Sequence, residues 1–372
     1  MSSGATATSL VDVDPSPGAA WDAFVEGRPG ATAYHLSAWA AILRAAYRFR
    51  PMYMVMRGPD EVIEGVLPLV QRGGRISGSR LNSLPAARWA GPLATTRQRE
   101  AALIDAACRL VRDGAADRLS IRSTIGGYER LVPELTAHTN DPPSWRIPLT
   151  GDAESFLERL KRHSKSRLRD IAKAERAGLV VREGRSRKDL RRFYHLYLLT
   201  MKKHRLLPRS YRQLAVARRL LGPQGVFRLV LVEHQGSPVA GGVFHLWGEG
   251  GDLLFNGSDD RYHDLRPNHA LYWKAIQLFI EEGRDYLDLG LGSVGTSLGE
   301  FKRRWSGEPT PRFRYTYPAA SASGDPEGIE SPRSFGLAAR LARDDGWPVA
   351  RAWKRSPLLM TRVAGTIAYR YL

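Results

Sequence analysis

Cysteine is almost absent from this sequence. The single cysteine, Cys108, cannot form a disulfide within the chain, which excludes a small secreted domain held together by disulfides. Cys108 lies inside the apolar run AALIDAACRLV, so we predict a small buried core residue rather than a nucleophile. The lack of disulfides suits a cytoplasmic protein.

Long hydrophobic runs are also missing. No uncharged apolar run reaches the length of about 18 residues that a transmembrane helix requires, so we expect none. Residues 1–17 lack a basic segment followed by an apolar one, and we therefore predict no signal peptide.

Motifs for metal-dependent or serine-dependent chemistry are absent as well. The nine histidines show no metal-ligand spacing, and we predict no metal site. His195 and His204 share a predicted helix but not one ligand face, while His35 and His269 are interpreted as structural residues. No GxSxG nucleophile elbow occurs.

Acidic residues are scarce relative to basic ones. The formal net charge is +18, with 56 lysines and arginines against 38 acidic residues. Such a charge favours polyanionic partners: tRNA, other nucleic acids, nucleotide-linked substrates or an anionic membrane face. The alternative is that an arginine-rich composition serves solubility alone. The basic segments Lys161–Arg176 and Lys202–Arg209 are candidates for binding phosphates, or are solvated helix faces.

The length of 372 residues exceeds one ordinary core and predicts two domains. Ser331–Leu372 has eight basic and two acidic residues and an apolar side, so it either packs on the first domain or lies on a membrane surface. The predicted divisions are a disordered N-terminus (1–17), a first domain (18–149), a second domain (150–318), a linker (319–331) and a basic amphipathic helical tail (332–372).

The second half has a regular order of elements. Short turn-rich links between its first three strands predict an antiparallel meander. The predicted helices are Ala153–Arg176 (capped by Asp152), Ser186–His204, Tyr211–Leu221, Pro267–Glu282 and Leu298–Trp305. The predicted strands are Phe227–His234, Pro238–Trp247, Asp252–Gly257, Tyr286–Leu289 and Arg312–Tyr317.

One stretch, Tyr286–Trp305, combines a strand, a glycine-rich bend and a short helix. We expect free backbone N–H groups there, which suit an anionic substrate or a developing oxyanion. Gly290–Gly295 matches GxGxxG, but no parallel βαβ unit and no suitably spaced acidic residue follow, so we reject a dinucleotide site. The glycines instead let a substrate approach the backbone closely.

This order of elements resembles the GNAT acyltransferase fold. Two such units in tandem resemble the Fem family of aminoacyl-tRNA-dependent peptidoglycan aminoacyltransferases, in particular the Fem-like branch that lacks a long arm. The resemblance spans Ala20 to Tyr369 and rests on the order of several short motifs. These are YHLSAW (34–39), GVLPL (65–69), SLP (83–85) with Gly91, AERAGL (174–179), FYHLY (193–197), TM (200–201), PN (267–268) with LYW (271–273), DLG (288–290), FKxxW (301–305), and 353–357 with Gly365.

The resemblance implies an α+β fold (mixed α/β) of two tandem GNAT-like domains, each a central, mixed, mainly antiparallel sheet flanked by helices. It also implies that Lys302 stabilises the oxyanion near the 3′ end of the donor and that Phe301 shapes the pocket. We expect substrate contacts from Trp39, Lys165, Arg169, Asn268, Tyr272, Gly290, Ser293 and Arg303. One departure is Ala172-Lys173-Ala174, where many relatives have arginine before a Lys-Ala pair, which leaves the phosphate-binding residue open.

The expected activity is transfer of an aminoacyl group from aminoacyl-tRNA to an amine, without a bound cofactor. The acceptor is a nucleotide- or lipid-linked cell-envelope precursor, or a small-molecule amine. One alternative is an N-acyltransferase that uses acyl-CoA in exopolysaccharide or small-molecule biosynthesis. The other is a non-catalytic basic scaffold of envelope assembly. We expect a cytoplasmic monomer, with peripheral contact to the inner membrane face through the tail.

Overall fold

A computed structural model describes residues 10–74, 78–85, 89–318 and 356–371. Within these residues the chain forms two compact units. The first contains residues 10–141 together with 312–318, and the second contains residues 142–311 together with 356–369. The chain therefore leaves the first unit at Asp141 and returns to it at Arg312.

The elements up to residue 141 belong to the first unit. Its strands before that point are β1 (Leu10–Asp14), β2 (Arg50–Pro51), β3 (Tyr53–Arg57), β4 (Ile63–Leu67), β5 (Val70–Gly74), β6 (Gly78–Asn82), β7 (Leu93–Ala94), β8 (Arg118–Ser123) and β9 (Thr136–His138). Its helices are α1 (Ala19–Val25), α2 (Ala38–Tyr47) and α3 (Arg97–Arg112).

The following elements belong to the second unit, except strand β17 (Phe313–Tyr317), which lies in the first. The strands are β10 (Ser144–Pro148), β11 (Val180–Glu183), β12 (Phe227–His234), β13 (Ser237–Trp247), β14 (Gly250–Ser258), β15 (Tyr286–Leu291), β16 (Glu308–Thr310) and β17 (Phe313–Tyr317). The helices are α4 (Ala153–His163), α5 (Lys165–Arg176), α6 (Arg187–Lys203), α7 (Tyr211–Leu221), α8 (Pro267–Glu281), α9 (Ser297–Arg303) and α10 (Leu358–Tyr371).

The first unit contains two sheets, with strand orders β1-β3-β4-β7 and β2-β5-β6-β8-β17-β9. Helix α3 begins at Thr96, whose hydroxyl accepts a hydrogen bond from the Arg99 N–H, and it buries its apolar face in the core of this unit. Cys108 lies on that face and is fully buried, as predicted, and burial raises the pKa of its thiol to about 12. The thiol is therefore a core group and not a nucleophile.

Strand β1 corrects the expectation that residues 1–17 are disordered. Leu10–Asp14 pairs antiparallel with β3, from Leu10 opposite Arg57 to Asp14 opposite Tyr53. Val11 and Val13 alternate with aspartates, and both valines pack against the core of the first unit. The period of two is a strand pattern, and it was hidden by the polar residues that surround it.

Two strands lie in the opposite unit from the predicted one. Strand β10, which falls within the predicted first domain (18–149), pairs with β15 and β16 in the second unit. Strand β17, placed at the end of the second half, lies between β8 and β9 in the first unit, where Tyr315 is fully buried. The physical reason is that strand pairing joins residues distant in sequence, and alternation alone does not select the partner.

The second unit is built on one sheet with the order β11-β12-β13-β14-β15-β10-β16. Strands β12, β13 and β14 form the predicted antiparallel meander. Val230 and Val232 face the core cluster that contains α8, whereas α6 packs against β13 and β14, so helices flank the sheet. The predicted fold class, mainly antiparallel mixed sheets flanked by helices, is confirmed.

The predicted long helix Ala153–Arg176 is two helices, α4 and α5. Asp152 caps α4 as predicted, because its Oδ1 accepts the Ser155 N–H at 2.8 Å. Ser164 interrupts the helical path with φ −160° and ψ 88°, and it ends α4 and begins α5. The change of direction turns one side chain of the basic segment, Arg167, into the interior, where it is 6% exposed.

Helix α10 is the described part of the tail. Its Tyr369 hydroxyl donates to the carbonyl oxygen of Leu207 at 3.3 Å, and the Arg209 guanidinium lies 4.1 Å from the Tyr369 ring centroid. The helix thus packs on the second unit, and packing on the first domain was the wrong alternative for this part of the tail. The predicted linker, 319–331, and residues 332–355 lie outside the described residues. Within the described chain, no helix is long and apolar enough to cross a membrane.

Candidate functional site

Strands β14 and β15 form the parallel pair of the second sheet, and they separate toward their carboxyl ends. Backbone pairing covers only Gly250–Asp252 against Tyr286–Asp288, while β14 continues to Ser258 and β15 to Leu291. The strand ends therefore border a gap, which we call the β14–β15 gap. The carboxyl ends of parallel strands are where α/β sheets bind ligands, because the helices that follow begin there.

The bend after β15 is anchored by Asp288. This carboxylate is fully buried, and its Oδ1 accepts the Ser144 hydroxyl at 2.6 Å and the Gly290 N–H at 2.7 Å. Gly290 has a φ of +84°, a conformation that favours glycine. The Gly292 N–H also bonds within the protein, to the carbonyl of Pro143. The expectation of free donors is therefore wrong for these two glycines, whose amides hold the bend in place.

Lys302 lies on α9, directly after this bend. The Thr296 hydroxyl caps the helix by accepting the Gly299 N–H. The Lys302 side chain is 5% exposed, and its Nζ donates to the carbonyl oxygen of Leu291, the last residue of β15, at 2.5 Å. An ammonium group carries three N–H donors and no acceptor. The helix thus holds a buried cationic donor at the end of β15.

Phe301, beside Lys302, belongs to an aromatic cluster. Its ring centroid lies 5.5 Å from that of Tyr272 on α8, and Tyr272 is 5.8 Å from the fully buried Trp305. The Arg167 guanidinium lies 4.5 Å from the Phe301 ring centroid. The cluster fixes α9 against α8, which positions Lys302.

A polar cluster of the buried Arg167 and His269 with the half-buried Asp170 completes the packing of α5, α8 and α9. Arg167 Nη1 lies 2.6 Å from His269 Nε2, and Arg167 Nη2 donates to the Phe301 carbonyl at 3.3 Å. Asp170 Oδ2 lies 3.2 Å from His269 Nε2, and the Arg266 Nε donates to Asp170 Oδ1 at 2.9 Å. The cluster connects the basic helix to the helix that carries Lys302.

Burial decides the protonation of this cluster. Burial, together with the positive charge of the adjacent Arg167, lowers the pKa of His269 to about 4. Burial also lowers the pKa of Arg167. Arginine is always a donor, so a hydrogen bond from Arg167 requires His269 Nε2 without a proton, whereas a hydrogen bond to Asp170 from the same atom requires the proton there. Sequence interpretation treated His269 as structural, which agrees with its burial, but it missed Arg167 because arginine and lysine surround that position.

Asn268 lies next to the β14–β15 gap. Its Nδ2 is 3.4 Å from the hydroxyl of Ser258, the last residue of β14, and its Oδ1 is buried without a hydrogen-bond partner among the residues that the structure describes. A buried acceptor without a partner is costly unless a ligand or water supplies a donor. Asn268 is therefore available to a substrate group at the gap.

The other predicted contacts lie in varied places. Ser293 and Arg303 are exposed near the bend, and Arg303 Nη2 pairs with Glu300 at 2.9 Å. Lys165 and Arg169 are exposed on α5. Trp39 is fully buried in the first unit, where its ring centroid is 5.2 Å from that of Tyr34. The structure brings together Phe301, Lys302, Tyr272, Asn268 and Gly290 around α8, α9 and β15, and it gives Trp39 a core role.

No group of three or more histidine, cysteine, aspartate or glutamate side chains in the described part of the chain could hold a metal ion. The arrangement instead offers a buried ammonium, a buried amide oxygen and an aromatic wall, which suit the binding of a carbonyl compound.

The sequence and the fold are similar to those of several known proteins. Residues 161–303 match the family model of the acetyltransferase (GNAT) domain. The crystal structure of FemX superposes with a TM-score of 0.65 at 14% identity, covering 79% of this chain and 94% of that one. L-PGS from Bacillus licheniformis gives 0.55 at 13% identity, covering 83% and 94%. A conserved protein of unknown function from Bacteroides thetaiotaomicron gives 0.59 at 9% identity, covering 82% and 99%. A search of the curated proteins finds no match.

Proposed function

We propose that this chain, an acyltransferase of the GNAT superfamily with the fold of FemX, moves an aminoacyl group from aminoacyl-tRNA to an amine. The observation that carries the proposal is the position of Lys302, a buried ammonium held at the end of β15 beside the β14–β15 gap. A preorganised cationic donor in a buried place is suited to the negative charge that develops during acyl transfer.

The reaction begins when the acceptor amine attacks the ester carbonyl carbon of the donor. A C–N bond forms, and the carbonyl oxygen becomes an oxyanion that accepts a hydrogen bond from Lys302. Collapse of this intermediate breaks the bond to the ribose 3′ oxygen, which leaves with a proton released by the attacking amine. Phe301 and Tyr272 form the wall against which the acyl group is oriented, and the Asn268 Oδ1 accepts an N–H of the bound amine.

The start of α8 supports tRNA over acyl-CoA as the donor. Helix N-termini at the ends of parallel strands bind phosphates through free N–H groups. Here α8 begins with Pro267, which has no N–H, and the N–H groups of His269 and Ala270 bond to the Arg266 carbonyl. A pyrophosphate such as that of CoA finds few donors at this position. The net charge of +18 favours a polyanionic donor.

The acceptor and the place of action belong to the same proposal. The acceptor is an amine of a nucleotide- or lipid-linked envelope precursor or of a small molecule, and the enzyme acts as a cytoplasmic monomer. Contact with the inner membrane face is supported by α10, where one side exposes apolar side chains by 48% to 65% of their surface. These side chains are Leu359, Met360, Val363 and Ile367.

The test measures which donor is consumed. Purified protein receives radiolabelled total aminoacyl-tRNA or acetyl-CoA, each with an extract of envelope precursors as the acceptor. We expect transfer from aminoacyl-tRNA that RNase abolishes, and a loss of roughly 10²–10³ in kcat for Lys302→Ala, the usual effect of removing one oxyanion donor. Lys188→Ala is the matched control, because Lys188 is an exposed lysine on α6 and lies outside the site.

Other outcomes separate the alternatives. Consumption of acetyl-CoA that is insensitive to RNase would replace the tRNA donor with acyl-CoA. If Lys302→Ala restores a deletion strain as well as the wild type does, the chain acts as a scaffold and the catalytic proposal fails.

A further inference from the structure

A cleft of about 840 Å³ lies in the second unit, between α6, α7 and the start of β12. Its floor is apolar and includes Leu190, Phe227 and Leu229. Its rim carries six arginines and one carboxylate, that of Glu183. The arginines are Arg185, Arg187, Arg191, Arg218, Arg219 and Arg228.

The single carboxylate is already engaged. Glu183 lies 3.6 Å from Arg185 and 3.4 Å from Arg228, and Arg228 also pairs with Glu282 at 2.6 Å. Arg187, Arg191 and Arg219 are exposed and make no ion pair or hydrogen bond with the described residues. The cleft therefore retains an uncompensated positive charge.

The arginines stand on two facing walls. Arg187 and Arg191 are four residues apart on α6 and so project from the same side of that helix, while Arg218 and Arg219 lie in the last turn of α7. Two rows of guanidinium groups across a cleft match successive phosphates of a nucleic-acid backbone, and guanidinium binds phosphate through two parallel hydrogen bonds.

Helix α6 gives the distance between the cleft and the β14–β15 gap. Arg187 begins the helix, and the hydroxyl of Thr200 accepts the N–H of Ser258, at the carboxyl end of β14. Thirteen residues of helix separate Arg187 from Thr200, which corresponds to about 20 Å. At about 3.4 Å per nucleotide along one strand, this equals roughly six nucleotides.

We propose that this arginine cleft binds the phosphodiester backbone of the donor RNA about six nucleotides before its 3′ end. The inference rests on the proposed function for the position of the 3′ end at the β14–β15 gap. The cleft contributes affinity for the donor body without base contacts and takes no part in the chemistry. A flat anionic membrane is the less suitable partner, because the arginines line a concave surface.

The experiment measures binding of uncharged RNA by fluorescence anisotropy. The probes are intact tRNA and a four-nucleotide RNA ending in CCA, which is too short to span from the gap to the cleft. The variant is Arg187→Ala/Arg191→Ala. The control is Lys188→Ala/Arg212→Ala. It also removes two positive charges, from exposed positions of α6 and α7 that lie outside the cleft. Circular dichroism melting verifies that each variant is folded.

For the cleft variant we expect weaker tRNA binding, and the slope of log affinity against log salt should fall by about two. Affinity for the four-nucleotide RNA should stay at the wild-type value, and Arg187→Lys/Arg191→Lys should recover most of the tRNA affinity. Equal loss in the cleft variant and the control, or no loss in either, would overturn the proposal. So would binding to anionic phosphatidylglycerol vesicles that depends on the same arginines while tRNA binding does not.

The two proposals fail in different ways. If tRNA binds through the cleft but aminoacyl-tRNA is not consumed, the transfer reaction is refuted and the proposal for the cleft stands. Transfer from aminoacyl-tRNA with unchanged binding by the cleft variant refutes the cleft alone.

Discussion

His269 makes the second unit sensitive to acid. The ring lies between Arg167 and Asp170, is 8% exposed, and has a pKa of about 4 against the usual 6.5 because burial disfavours its charged form. In the unfolded chain the same ring is protonated below pH 6.5. The stability that depends on neutral His269 is therefore complete above pH 6.5 and is lost as the pH falls toward 4.

The magnitude follows from the difference in pKa. A difference of about 2.5 units between the folded and unfolded states corresponds to about 3 kcal/mol in the free energy of unfolding. The protonated ring carries an N–H on both nitrogens, and Nε2 lies 2.6 Å from Arg167 Nη1, so both groups would then be donors. The loss should therefore begin at α8 and loosen α9, which carries Lys302.

The measurement is urea unfolding, monitored by tryptophan fluorescence, at a series of pH values from 7.5 to 4.5. His269→Gln keeps an acceptor for Arg167 and cannot be protonated. As the pH falls across this range, the free energy of unfolding of the wild type should therefore decrease by about 2–3 kcal/mol more than that of the variant. His163→Gln, at an exposed position, is the control and should follow the wild type.

His35 makes the comparison with a variant necessary. Burial also lowers the pKa of this first-unit histidine to about 4, so the wild-type slope alone reports on both groups. If His269→Gln shows the same pH dependence as the wild type, then His269 is not held neutral by its burial beside Arg167, and the reasoning is refuted.

Two further predictions concern packing and the tail. Gly251→Ala places a Cβ 1.9 Å from the carbonyl oxygen of His245 on β13, so thermal unfolding should show a free energy of unfolding lower by about 3 kcal/mol or more. In Gly18→Ala the added Cβ meets nothing within 4 Å, so this variant should melt near the wild-type temperature; equal melting temperatures of the two variants would contradict the prediction. Met360→Glu/Val363→Glu on α10 should reduce flotation with anionic vesicles, while Val62→Glu, at an exposed valine of the first unit, should not; equal partition of all three proteins would exclude membrane contact through α10.

Local structure was largely determined by the sequence. The caps at Asp152 and Ser186 are where side-chain oxygens accept the N–H groups of the first helical turn. The apolar run AALIDAACRLV predicts the burial of Cys108, and the turn-rich links predict the meander β12-β13-β14. These features depend on interactions between residues close in sequence, so the pattern of neighbouring residues is sufficient to specify them.

The sequence also predicted a site motif at Phe301 and Lys302, through its resemblance to the Fem family. Its environment was not. The aromatic contacts of Phe301 with Tyr272, the burial of Lys302 and its bond to Leu291 depend on how α8, α9 and β15 pack. The stretch itself predicted free backbone donors, but Gly290 and Gly292 use theirs to anchor the bend.

Only the tertiary structure decided which basic residue is internal and which strand belongs to which unit. Arg167 stands among lysines and arginines of the same type, and the break at Ser164 together with packing against His269 selects it for burial. Strand β17 has the same alternation as a strand of either unit, and pairing with β8 and β9 places it in the first. In both cases the deciding contacts join residues more than 100 positions apart. The composition and period of a segment specify that it has an apolar face or strand pairing, and the fold specifies its partner.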